Sequence, residues 1–148
     1  HRDTDKQKNM KKFAFLLRAV FLTTTTVNAK HKADAICGYY YAKDPFSKEG
    51  SQVKIYKNSQ GKYEGIVCWV ENPKKKNFLN YKFLRDFEYD AKEDEYVNGK
   101  IHHPGNGKTY KSYLKIDGNR LKVRGYLGVS LFGMSMYWPR ESKQRVQN

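Results

Sequence analysis

Cysteine is scarce in this chain. Cys37 and Cys68 are the only two in 148 residues, which excludes a disulfide-dense scaffold and a four-cysteine zinc site. Long apolar runs are missing too. The longest, from Phe13 to Leu22, is broken by Arg18 and falls short of the roughly 20 residues that a membrane-spanning helix needs. Acidic residues are few, 15 against 29 Lys plus Arg, for a net charge of +14. Aromatics are plentiful at 15%, with 12 tyrosines. A disordered chain is poor in aromatics and cannot bury enough apolar surface, so the composition predicts a small, basic, folded domain.

The first 29 residues read as processing sequence. Residues 1–9 precede Met10 and carry no pattern, so they read as an upstream or added segment. From Met10 the order is Lys11-Lys12, the apolar stretch to Leu22, four threonines and Val27-Asn28-Ala29. That three-part order predicts a signal peptide over 10–29, cleaved after Ala29. The alternative is an amphipathic N-terminal helix that stays attached. Residues 1–29 carry six basic and two acidic residues, which leaves 23 basic against 13 acidic and +10 on the remainder. Export places the protein in the periplasm or outside the cell. In that oxidising compartment Cys37 and Cys68 either pair or remain two small buried thiols.

Beyond Ala29 no segment keeps a helical period for three turns. Period-two runs divided by turn residues recur instead: 35–43, 52–57, 62–71, 81–89, 95–103, 108–116, 119–128 and 134–140. Asp44-Pro45, Asn58 to Gly61, Asn72-Pro73, Pro104 to Gly107 and Asp117-Gly118 separate several of them. Asn98-Gly99 suggests a bulge. Lys74-Lys75-Lys76 reads as a basic loop, and the tail 141–148 as a fraying polar end. Eight short strands predict an all-β domain over 30–140, a single antiparallel up-and-down barrel or a sandwich. A barrel of eight strands is just wide enough to be filled by side chains or to hold one small ligand.

Pro104-Gly-Asn-Gly-Lys-Thr-Tyr110, Leu121-Lys-Val-Arg-Gly-Tyr-Leu-Gly128 and Ser130-Leu-Phe-Gly133 resemble the domain-of-unknown-function 2147 family of small exported bacterial proteins. The resemblance runs from about Ala35 to Arg140. It implies a lipocalin-like barrel and export, and it supplies no catalytic residue. Three positions depart from the family pattern: Tyr40 stands where Trp is usual, His103 where Asp is usual, and Gly133-Met-Ser-Met136 where Gly-Arg-Thr-Gln is frequent.

Chemistry-bearing motifs resolve mostly into structural ones. Gly105-Asn-Gly-Lys-Thr109 lacks the first glycine of a phosphate loop and the helix such a loop opens. His102 and His103 point to opposite strand faces, and no third ligand lies at metal-like spacing. Asp86 and Glu88 share a face in an ideal strand, as paired carboxylates would, next to Arg85 and Lys82. Ser130 and Ser135 have no nucleophile motif. No enzyme, cofactor or metal is expected. Basic residues interleave with tyrosines at 54–57, 108–111 and 122–126, as in single-strand nucleic acid platforms, but an exported protein meets few nucleic acids and none is expected as a partner. Tyr40, Trp69, Arg124, Tyr126 and Trp138 are the candidate ligand-binding residues, apolar walls with a few polar groups. Trp138 and Arg140 fall on one strand face, with Tyr40 as an arginine-stacking partner at a barrel end. The expected function is non-enzymatic binding of a small, partly apolar ligand by a monomer. The alternative is an interaction module whose Lys74, Lys75 and Lys76 meet acidic polymers or lipid headgroups.

Overall fold

The computed structural model describes residues 32–126 and 133–148. Residues 32–35 make one helical turn, closed by the Ala35 N–H on the Lys32 carbonyl. The barrel domain starts at Ile36. Its strands are β1 (Gly38–Lys43), β2 (Gly50–Lys57), β3 (Tyr63–Val70), β4 (Lys82–Asp90), β5 (Glu95–His102), β6 (Thr109–Asp117), β7 (Arg120–Tyr126) and β8 (Gly133–Glu141). Each pairs antiparallel with the next, and β8 pairs back onto β1 through Tyr40 and Arg140, so the sheet closes into a barrel. Closure removes every free edge, and it decides between the barrel and the sandwich. The predicted leader, the end of the seventh run and Ser130-Leu-Phe132 lie outside the described residues.

Alternation sets the inside. Tyr40 and Ala42, Val53 and Ile55, Leu121 and Val123 all turn inward, each no more than 6% exposed. Bulges interrupt the alternation and bend the strands. Asn98, at φ 61°, shifts the β5–β6 register between Tyr96 and Gly99, which agrees with the bulge expected there. A Cβ on Gly99 would sit 2.2 Å from the Phe87 ring, so only glycine lets that ring pack flat across the strand. A second bulge makes Cys68 the extra residue of β3, since Gln52 faces Trp69 and Val53 faces Val67.

Two expectations needed correction. Lys74 to Lys76 do not form a loop but sit in a 3₁₀ helix, Pro73–Phe78. Asn72 caps it by accepting from the Lys74 N–H, and proline occupies the first turn, where its missing N–H costs nothing. The tail does not fray. Gln147 bonds both backbone groups of Val70, at 2.8 and 3.0 Å. Arg145 forks onto Glu141 and lies over the Trp69 and Tyr41 rings.

Candidate functional site

The two ends of the barrel differ. One is plugged by aromatics. Tyr63 meets Tyr96 edge-on at 5.2 Å, and Tyr89 packs on Tyr96 at 5.0 Å. Burial pushes the Tyr96 hydroxyl far above the ordinary tyrosine range. Tyr40 donates its hydroxyl to the Ile36 carbonyl at 2.8 Å, beneath the Arg140 guanidinium, which itself donates to the Cys37 carbonyl. Burial raises the Tyr40 pKa to about 12 although Arg140 pulls it down. The Arg140–Tyr40 stack anticipated from strand faces is therefore present, as a closing contact.

The other end is not plugged by the described residues. There the β1–β2 loop, the 3₁₀ helix and the β5–β6 loop surround an apolar cavity of about 150 Å³. Four rings run from rim to floor. Phe46 stands edge-on to His103 at 5.6 Å, His103 lies 6.5 Å from Phe83, and Phe83 lies 5.9 Å from Trp138. Phe78, Met134 and Met136 complete the wall. Trp138 is 2% exposed, and its indole N–H has no hydrogen-bond partner among the described residues. A buried donor without an acceptor is costly.

Polar contacts hold the rim. His103 Nδ1 accepts from the Gly105 and Asn106 N–H groups at 3.1 Å, so its proton sits on Nε2, which donates to Asp44 at 3.3 Å. Burial would raise the Asp44 carboxyl, but donors from the Phe46 N–H, His103 and Ser47 outweigh that and hold it below its ordinary value. The β1–β2 and β5–β6 loops are thereby tied across the mouth. Lys75 pairs with Glu49 at 2.5 Å. Lys74 and Lys76 on the same helix are exposed and carry no ion pair among the described residues.

Of the five ligand-binding candidates, Trp138 alone lines the cavity; of the basic patch, Lys75 reaches its rim. Tyr40 lies in the plug. Trp69 is on the outer wall under Arg145. Arg124 and Tyr126 stack on each other outside β7, where Arg124 also donates to Ser135. Cys37 and Cys68 are not disulfide-bonded to each other. Asp86 has φ 64°, and Glu88 engages Lys62 and Asn98. Among the described residues no group of three His, Cys, Asp or Glu side chains is placed to hold a metal.

Sequence reasoning missed Phe46, Phe83, His103 and Met136. Phe83 and the fully buried Leu84 both face inward, a break in alternation that period two conceals. Phe46 sits in a turn segment, where an aromatic carries no strand signal. A pair of methionines two apart, Met134 and Met136, was the available hint for an adaptable apolar wall.

A family model described as an uncharacterized protein conserved in bacteria, DUF2147, matches residues 38–140. No curated protein matches the chain. One solved structure is similar at 21% identity with a TM-score of 0.56, over 72% of this chain and 83% of the other. It is a protein of the human pathogen Helicobacter pylori described as belonging to the lipocalin family. At that identity the likeness supports the barrel fold alone.

Proposed function

The chain belongs to this family of uncharacterised bacterial proteins, and we propose that it is an exported, non-catalytic barrel that holds a small, partly apolar ligand at its mouth. The carrying observation is the apolar cavity walled by Phe46, Phe78, Phe83, Met136 and Trp138. An apolar cavity near 150 Å³ has room for one ring-sized apolar group, so the ligand enters the barrel with a ring or short chain and leaves its remainder at the rim. The unpartnered Trp138 N–H favours a ligand with a carbonyl, ether or hydroxyl oxygen near that buried end. Non-catalytic action is supported by the chemistry of the wall, which is aromatic and thioether. The Asp44–His103 pair is occupied in tying loops together.

Export rests on the leader pattern, and intact mass of protein recovered from the periplasm tests it. Cleavage after Ala29 is expected, and retention of 10–29 contradicts it. For the cavity, a Trp69→Phe chain leaves Trp138 as the sole tryptophan. Titration with an uncharged aromatic probe should quench its emission saturably and equally at low and high salt, because burial of apolar area is insensitive to screening. A response that vanishes with salt, or none, removes the small-ligand reading.

A further inference from the structure

We propose that the cavity end of the barrel docks on an anionic lipid bilayer, with Phe46 entering the interface and the lysines of the 3₁₀ helix meeting the headgroups. The inference rests on the cavity reading only for its purpose, exchange of an apolar ligand with a membrane. The surface itself stands on other observations. Large apolar side chains are rarely left open to water in a patch without a use. Here Phe46 is 60% exposed at the tip of the β1–β2 loop and Met134 is 43% exposed at the start of β8, both at the mouth.

Cations ring them. Lys48, Lys74, Lys76 and Lys108 are exposed on the segments that join the strands at this same end and carry no ion pair among the described residues. The rim carboxylates are already engaged, Asp44 by His103 and Ser47, Glu49 by Lys75, and Glu71 by the Gly50 N–H. An apolar tip inside a collar of unneutralised lysines is the chemistry that holds a peripheral protein on acidic lipid. A linear acidic polymer would use the lysines and leave Phe46 and Met134 in water. The aromatic plug at the opposite end offers no such tip.

Co-sedimentation of the chain with phosphatidylcholine vesicles, with and without phosphatidylglycerol, tests the proposal. Binding is expected only with phosphatidylglycerol. Phe46→Ser, and separately Lys74→Glu with Lys76→Glu, should each weaken it about tenfold. Lys111→Glu with Lys122→Glu, on the side wall, removes the same charge and should leave binding within about twofold. Equal loss from the wall variant reduces the effect to net charge and overturns the proposal. So do an unaffected Phe46→Ser variant, or retention of an acidic polysaccharide without vesicle binding. Probe titration without vesicles separates the two readings. Loss of vesicle binding with an intact probe response removes docking alone, and the reverse removes the cavity alone.

Discussion

Trp138 illustrates how much one side chain decides. It packs against Phe83, floors the cavity and buries a donor that no group among the described residues accepts. Trp138→Phe keeps most of the apolar packing and deletes the N–H. The free protein should lose little stability, since an unsatisfied buried group goes with it. Affinity for an oxygen-bearing aromatic probe should fall about threefold to tenfold relative to the matching hydrocarbon, the size of one net hydrogen bond; parallel titrations measure the ratio. Glu64 is the contrasting case, a 7%-exposed carboxylate with every need met. Tyr56 and Asn58 donate to it, and Lys82 lies 3.0 Å away. Burial would raise its pKa, but these donors and the Lys82 charge bring it below 4.5. A carboxyl lowered on folding stabilises fully above its unfolded value, and that contribution is lost as pH falls through the folded one. Glu64→Gln should therefore cost about 1–3 kcal/mol at neutral pH. In urea melts the gap from the parent should narrow as the pH falls below the ordinary carboxylate range. Gly99→Ala should destabilise more than an ordinary surface exchange, because its Cβ would strike the Phe87 ring, and thermal melts read that directly.

Among the elements, the strands were legible and the covering pieces were not. Period two with Gly, Pro, Asn and Asp punctuation placed all eight strands, the largest offset being β1, which begins at Gly38 instead of Ala35. Alternation reports which face a residue takes only while the pleat is regular. Bulges at Cys68 and Asn98 and the paired inward Phe83 and Leu84 change the phase, and they are set by contacts with neighbouring strands that no local pattern encodes. The tail was illegible for a related reason. Its residues are polar, but their partners, Val70 and Gln52, are 77 to 93 positions away in sequence. Gln52 is fully buried beneath it and bonds Glu141, the Lys143 carbonyl and the Arg145 N–H. Removing 142–148 should expose Gln52, Cys68 and Trp69 together. Trp69 emission should then move to the red and Cys68 should react faster with a thiol reagent, whose accessibility now depends on a thiol held at 3.2 Å from Gln52. An unchanged emission maximum in the truncated chain would mean that the tail does not cover this wall in solution.

For the whole molecule, closure into a barrel leaves one end plugged by aromatics and, among the described residues, a cavity at the other, and the proposed function rests on that asymmetry. The tyrosine plug fills the first with rings, the Tyr40 hydroxyl donating inward to the Ile36 carbonyl and the Tyr89 hydroxyl outward to the Asp94 carboxylate. At the second, the loops cannot cover the interior with backbone, because buried backbone polar groups would go unpaired, so side chains from four elements share the task and leave a pocket. The +10 remaining after the predicted leader guarantees some attraction to any polyanion, which is why salt dependence separates cavity binding from surface binding. The most direct measurement follows the methionines of the wall. With the Met methyl groups labelled, NMR spectra of the chain at high salt should show the Met134 and Met136 signals moving saturably as an uncharged aromatic ligand is added. Ring-current shifts should be largest for Met136 and lost in Trp138→Ala. Signals that stay fixed at every ligand concentration, while the barrel remains folded, would contradict a ligand-holding mouth.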